Sequence, residues 1–407
     1  MANIGIVTTW FERGAAYVSR AYKNVLEKDH QVYIYARGGE DYAIGDPAWD
    51  THDVTWGPWL GQNTTISMVH FMRWLRKRKI DVVLFNEQND IRPVIATKKF
   101  GYPVGAYVDY YTQESVSDFA LYDFLICNTR RHQSVFNGHP CCIYVPWGTD
   151  TDIFRPVTLG RLVAPGVVTF FHSAGMGGTN LRKGTDLLVH AFMKVQSPAK
   201  LIIHSQASLD HYGANIAELI RKDCRIEFIH RTVGAPGLYH LGDVYVYPTR
   251  LEGIGLTICE ALAAGLPVIT TDSPPMNEFV EDGVTGGLVR VAREKMRKDG
   301  YYWPESYVDI DHLGKVLERY AGDHNMVVHQ KQSARDYAES ARNWFVNAGS
   351  LSRTLTATIK GQTLLGSASP LQNAVWVYQH FHNFFMAIVH SRKIDLRGLR
   401  LRDQFLF

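Results

Sequence analysis

"YPTRLEGIGLTICEALAAG", residues 247–265, places Glu252 just ahead of an expected helix and Glu260 about one turn inside it. Gly253 and Gly255, on either side of Ile254, keep the turn narrow and let a ligand approach the backbone. The amides of Gly255, Leu256 and Thr257 open the helix, where unpaired N–H groups suit an anion such as a pyrophosphate. Carboxylates near a helix start are favoured by the helix dipole whatever the function, so the pattern alone also admits a purely electrostatic reading. Two carboxylates would repel a phosphate, however, which points them at another partner. Each can accept charge-assisted hydrogen bonds from a pair of neighbouring hydroxyls. A sugar on one side of a pyrophosphate and a ribose on the other would use both.

Outward from this stretch, short β-branched and aromatic runs alternate with helical periodicity. "NIGIVT" (3–8) reads as a buried strand, and Gly14 to Lys28 as a helix with Tyr17, Val18, Ala21, Tyr22, Val25 and Leu26 on one face. "QVYIYA", a helix carrying Met68, Phe71, Met72 and Leu75, and then "DVVLFN", "PVGAYVD", "YDFLICN" and "CCIYVP" continue the series. The rhythm breaks at the Pro- and Gly-rich "IFRPVTLGRLVAPG" (153–166) and restarts with "VVTFFHSA", a helix through Leu188 and Phe192, "KLIIHS", "RIEFIH", "VYVYPT" and "PVITTD". Strands alternating with helices imply parallel sheets covered on both faces, here in two doubly wound domains. Ligand sites are expected at the carboxyl ends of the strands.

Composition agrees. A chain of 407 residues is long for a single core, and 46% hydrophobic with 20% charged residues is a globular profile. A net charge of +3 gives no reason to expect a nucleic-acid partner. Five cysteines, odd in number and without a C-x-x-C, fit a reducing compartment rather than a disulfide framework or zinc site. No basic leader precedes the first apolar run, and no run approaches the roughly 20 apolar residues that cross a bilayer. "DTD" (150–152) lies in a connecting loop, where Asp152 reads as a helix cap rather than a metal ligand. His380, His382 and His390 lack the spacing of helical metal ligands.

The E-x7-E pattern followed by "ALAAGLPVI" resembles the signature of retaining glycosyltransferases of the GT-B fold, glycosyltransferase family four. "SPPMNEFVEDGVTGGLV" (273–289), "VPWGTDTDIFRP" (145–156) and "LRKGTDLLVHAF" (181–192) are similar to other family segments, in the family's order, over roughly residues 1–350. The resemblance implies an α/β GT-B architecture: two Rossmann-like domains whose parallel sheets face across a cleft. It assigns residues 1–160 to acceptor binding, 161–345 to the nucleotide-sugar donor, and 346–407 to a crossover helix with an aromatic and basic tail. It implies transfer of a hexosyl-type group from a UDP- or GDP-linked sugar to a carbohydrate, glycolipid or glycoprotein hydroxyl, with retention and without a metal or other cofactor.

Position by position, the resemblance makes Glu252 the contact to the donor sugar, Glu260 the ribose holder and Lys183 the cation that neutralises the departing diphosphate. Gly14, in "WFERGAAY", corresponds to a glycine turn beside the diphosphate. Asp109, ending "PVGAYVD", stands where the family puts a polar residue, often histidine, next to the reacting sugar. Gly177 and Gly178 occupy the place of a second phosphate-binding cation, leaving Arg182, Arg250 or the backbone amides of the glycine turn as substitutes. No carboxylate is placed as a nucleophile, so front-face attack is expected. A same-fold epimerase or phosphorylase, and a non-catalytic carbohydrate-binding protein, are the alternatives. Trp49, Trp56 and Trp59, in the loop 38–65, suit either sugar stacking or loop packing. "RWLRKRK" (73–79) and the basic tail 392–402 suit either a solvated face or peripheral contact with an anionic membrane, with a cytoplasmic location.

Overall fold

The computed structural model describes residues 1–61, 64–157, 166–176 and 181–359. Gly177, Gly178, the tail histidines, and the aromatic and basic segments 371–389 and 392–402 lie outside the described residues. The chain divides into two compact units. One comprises Met1–Cys127, Val135–Ile143 and the described residues from Ser350; the other comprises Asn128–Ser134 and Tyr144–Gly349.

The first unit is built on β1 (Asn3–Thr8), β2 (Gln31–Ala36), β3 (Val54–Trp56), β4 (Val82–Asn86), β5 (Val104–Val108), β6 (Phe124–Cys127) and β7 (Cys142–Tyr144). Their order is β3-β2-β1-β4-β5-β6-β7, with parallel pairing from β3 through β6. Every residue of β4 and β5 is buried, which explains why both read as continuous apolar runs rather than alternating ones. The helices of this unit are α1 (Gly14–Leu26), α2 (Met68–Lys77) and α3 (Arg92–Lys99), while α4 (Arg130–Phe136) belongs to the second unit through Ser134 and to the first from Val135. α2 lies so close to β1 that a Cβ on Gly5 would come within 2.7 Å of the Trp74 ring. Its Phe71, Trp74 and Leu75 are buried, and Arg73, Arg76 and Lys77 face solvent.

The second unit repeats the pattern with β8 (Val168–Ser173), β9 (Ala199–Ser205), β10 (Ile226–His230), β11 (Val244–Tyr247), β12 (Val268–Thr271) and β13 (Gly286–Val289), an all-parallel sheet in the order β10-β9-β8-β11-β12-β13. Its helices are α5 (Thr185–Phe192), α6 (Ala214–Lys222), α7 (Leu256–Ala263), α8 (Ile310–Gly322), α9 (His324–Ala341) and α10 (Trp344–Asn347). Phe170, Leu188, Phe192, Leu201, Val246, Leu313 and Leu317 form one core between sheet and helices. Burying each such side chain contributes roughly 1.5–3 kcal/mol before chain entropy is set against it. α11 (Leu351–Ile359) returns to the first unit, where Ser352 Oγ lies 2.9 Å from His30 Nε2.

Four local readings change. α1 stops at Leu26, two residues before the expected Lys28. Within the loop 38–65, Val54–Trp56 pairs with β2 as an edge strand too short to show periodicity. Asp150, not Asp152, is the capping residue of its turn: its Oδ1 accepts from the amides of Asp152 and Ile153 at 3.0 and 3.2 Å. An antiparallel hairpin, β14 (Val291–Lys295) with β15 (Glu305–Val308), follows β13, and its charged sequence gave no strand signal.

Candidate functional site

In both sheets the chain winds outward in opposite directions from a central strand pair, β1/β4 and β8/β11. Loops leaving the carboxyl ends of such a pair diverge and leave a crevice between them. In the second unit those loops carry Arg182, Lys183 and Glu252.

The loop after β8 ends in a strained turn. Leu181 has φ +57° and Gly184 φ +76°, so left-handed residues bracket Arg182 and Lys183. Gly184 also abuts the neighbouring loop: a Cβ there would stand 2.1 Å from the Pro248 carbonyl oxygen. Arg250 holds the arrangement from beneath. Only 4% exposed, it forms a bidentate pair with Asp186 at 2.9 and 2.6 Å and donates to the Leu181 carbonyl. Its guanidinium also lies 4.6 Å from the centre of the Tyr307 ring on β15. Arg250 is therefore engaged in bracing the turn, and of the two arginines Arg182 is the one beside Lys183 and Glu252. Lys183 precedes α5, whose N-cap is Gly184, rather than lying within its first turn.

Glu252 is 7% exposed and well bound. Its Oε1 accepts from Tyr247 Oη and Thr249 Oγ1, both at 2.8 Å, and from Lys183 Nζ at 2.9 Å. Arg182 Nη1 stands 3.3 Å from Oε2. Burial opposes ionisation of this carboxyl, but Arg182 and Lys183 overcome it and hold the group down at about 2. Burial, together with Arg182, brings the Lys183 ammonium down to about 8 against the pull of Glu252. The site is thus a buried carboxylate clasped by two cations, with Oε2 the less encumbered oxygen.

After Glu252 the chain turns through Gly255, left-handed at φ +85°, into α7. No side chain among the described residues caps this helix, so its leading amides, those of Leu256 and Thr257 among them, keep the donor capacity that helix geometry leaves unused. Glu260 lies in the next turn. Its Oε2 accepts from Tyr239 Oη at 2.6 Å, and burial raises the carboxyl to about 7, opposed by that hydrogen bond and by Lys183. Buried Tyr245 Oη and Thr257 Oγ1 have no hydrogen-bond partner among the described residues.

Two histidines that the sequence gave no reason to select support this loop. His132 is fully buried, with Nε2 2.8 Å from the Gly253 carbonyl oxygen. A carbonyl only accepts, so Nε2 carries the proton; burial and Arg131 hold the ring neutral, with its pKa near 3. His172, on β8, donates from Nδ1 to the Val246 carbonyl at 2.8 Å and accepts at Nε2 from Thr185 Oγ1 at 2.9 Å. Burial lowers it to about 4, so it too is neutral, and it ties β8, β11 and the start of α5 together. Neither bond is visible as a spacing, because each joins segments remote in sequence.

The other two selected residues belong to the first unit. Gly14 opens α1, and Arg13 before it lies 3.7 Å from Glu87, just beyond β4. Asp109, just beyond β5, lines a cavity together with Glu87. Trp49 is 2% exposed, edge-on to Trp10, with Arg20 3.5 Å above its ring, so it is a packing residue and no sugar platform. Trp59 is the exposed member of the three, edge-on to Tyr42. Among the described residues, no group of three His, Cys, Asp or Glu side chains is arranged to hold a metal ion, and no helix is long and apolar enough to cross a membrane.

Residues 171–297, which contain this site, match the family described as glycosyl transferases group 1. A lipopolysaccharide core biosynthesis mannosyltransferase of Rhizobium meliloti is 33% identical over 115 residues, 26% of this chain and 33% of its own length. A GDP-mannose-dependent alpha-(1-6)-phosphatidylinositol monomannoside mannosyltransferase of Mycobacterium tuberculosis is 30% identical over 187 residues, 39% of this chain and 45% of its own. The chain thus spans less than half the length of these curated relatives. Among solved structures, an Anabaena protein in complex with UDP and glucose superposes with a TM-score of 0.69 at 15% identity, covering 88% of this chain and all (100%) of the other. Sucrose-phosphate synthase from Thermosynechococcus elongatus gives 0.66 at 17% identity, with 88% and 100% covered. The chain has the GT-B fold.

Proposed function

We propose that this chain is a glycosyltransferase that moves a hexosyl-type group from a nucleotide diphosphate sugar to an acceptor hydroxyl, with retention of configuration. The observation that carries the reading is the sequence of groups along one loop and helix: a buried carboxylate clasped by Lys183 and Arg182, an uncapped helix start, and a second carboxylate one turn later. The amides at Gly255–Thr257 take the diphosphate. Glu252 presents Oε2 to hydroxyls of the transferred sugar, and Glu260, once ionised, accepts from the ribose diol. The matched relatives include one that uses GDP-mannose, and a neighbouring structure holds UDP, so both bases stay in the panel below.

In the reaction, an acceptor oxygen attacks the anomeric carbon as its bond to the diphosphate oxygen breaks. The nucleoside diphosphate leaves with the electron pair, and the acceptor proton passes to that leaving phosphate. Lys183 and Arg182 stabilise the charge that develops there, a role typically worth about 10²–10³ in rate. Asp109 is proposed, as the family resemblance implies, to act beside the reacting sugar. The chemistry we propose needs no metal or other cofactor, because these two cations and the helix amides supply the positive potential.

We further assign the enzyme to the cytoplasmic side of a membrane, held peripherally through the exposed Arg73, Arg76 and Lys77 of α2, with a carbohydrate, glycolipid or glycoprotein as acceptor. The test is incubation with a panel of UDP- and GDP-linked hexoses, following the free sugar by NMR. Slow hydrolysis of one donor with initial retention, lost in Glu252→Ala and Lys183→Ala, supports transfer. Inversion, conversion of one nucleotide sugar to its epimer, or release that depends on inorganic phosphate points to a same-fold enzyme of other chemistry. Sugar binding that survives both substitutions, without turnover, points to a binding protein.

A further inference from the structure

The first unit contains a cavity of about 260 Å³ at the carboxyl ends of β4 and β5. Glu87, Asp109 and Asp118 put three carboxylates into its wall, Tyr110 and Phe119 contribute rings, and none of the described residues lining it is basic. Two arginines stand behind this wall. Arg13 lies 3.7 Å from Glu87, and buried Arg37 donates to the carbonyls of Asn86 and Glu87 at 2.6 and 3.0 Å. The Arg37 bonds hold Glu87 at φ +47°, a conformation that costs energy for a residue with a side chain.

Tyr107 is the second, independent observation. It is 3% exposed and lines the same cavity, and its hydroxyl has no hydrogen-bond partner among the described residues. Glu87 and Asp109 are the charges that act on it most strongly. A buried hydroxyl left unsatisfied in this way calls for a partner that the protein itself does not supply.

The chemistry of the wall selects among ligands. The carboxylates do not converge on a point as metal ligands do. They are spread around a space the size of a single ring, with aromatic faces that attract cations as well as apolar C–H surface. We propose that this cavity recognises a protonated amine carried on a hydroxylated ring, an amino sugar being the simplest member, and that this ring belongs to the acceptor. As an acceptor site the proposal rests on the glycosyl-transfer reading; as a binding site it stands on the cavity alone.

Ligand-observed NMR titration of the full chain with glucosamine below its amine pKa, glucose and N-acetylglucosamine tests it. One charge-assisted hydrogen bond should make glucosamine bind about tenfold tighter than either neutral sugar. Asp118→Asn, nearly isosteric, should remove most of that preference. Tyr107→Phe should weaken glucosamine binding while leaving Tm unchanged or raised, because the deleted hydroxyl has no hydrogen-bond partner among the described residues. Equal affinities for the three sugars, no binding of any, or a preference untouched by both substitutions overturns the proposal. A glucosamine preference without nucleotide-sugar turnover upholds the cavity's specificity and removes only the transfer reading. Turnover onto neutral acceptors without that preference overturns the amine site and leaves transfer standing.

Discussion

Lys183 and Glu252 each make the other tolerable in a buried place, and that mutual dependence has measurable consequences. Lys183→Ala leaves Glu252 with Arg182 as its one cation beside the Tyr247 and Thr249 hydroxyls, which we expect to cost about 2–3 kcal/mol of stability, below the usual range for stranding a buried charge because these partners remain. Turnover should fall about 10²–10³-fold in the same variant, read by steady-state kinetics beside thermal unfolding. Glu260 gives a pH signature. Its folded pKa, near 7, lies above its unfolded value, so the folded state binds the extra proton. Its stabilising contribution is therefore complete below about 4.5 and is lost as pH rises through 7, amounting to about 3 kcal/mol. Glu252, held near 2, works the other way: its contribution is present above about 4.5 and is lost as pH falls through 2. Donor binding needs Glu260 ionised and Lys183 protonated, so affinity for a nucleoside diphosphate should peak between about 7 and 8. Glu260→Gln should flatten the acid limb in a calorimetric pH series; an unchanged limb would detach Glu260 from the ribose. Glu252 and Glu260 could be selected from the sequence because they lie in one short, ordered pattern, whereas Lys183, 69 residues before Glu252, was selected only through the family resemblance. Arg250 was not, since its bidentate bond to Asp186 removes it from the candidate cations only once the fold is known.

The turn before α5 and the loop after β11 are fitted to each other, and Gly184 is where they touch. Gly184→Ala combines a left-handed φ with a Cβ 2.1 Å from a backbone carbonyl oxygen. We expect it to destabilise the chain by at least about 2 kcal/mol and to displace Lys183, so that Tm and turnover fall together. His132→Gln tests the other support. An amide N–H in place of the imidazole still reaches toward the Gly253 carbonyl, so donor affinity should fall less than in His132→Ala, while both variants keep far-UV circular dichroism. Hydrophobic runs revealed the longer strands here, because both sheets bury their central strands almost entirely. The same reading missed β3 and the β14–β15 hairpin for opposite reasons: three residues are too few to show a period, and "VAREK" carries charge where a strand signal needs apolar residues. That hairpin matters to the site, since Tyr307 on β15 lies against Arg250.

Two doubly wound units were expected from two strand series separated by a Pro- and Gly-rich break, and the two parallel sheets are there. The unit assignment of Asn128–Ser134 was not legible. That segment follows β6 directly in sequence, yet its His132 serves the loop after β11. The face formed by Arg73, Arg76 and Lys77 carries the membrane assignment. Substituting all three by Glu should abolish co-sedimentation with vesicles containing anionic lipid while leaving donor hydrolysis in solution unchanged; retained sedimentation would move the contact elsewhere. The proposed donor site is one loop and one helix, and a crystal structure with bound UDP- or GDP-hexose is the decisive measurement. The diphosphate should lie on the amides of Gly255–Thr257, the ribose against Glu260, and the sugar against the Glu252 carboxylate with Lys183 alongside. A nucleotide sugar bound elsewhere, or density at α7 from a molecule without phosphate, would contradict this placement.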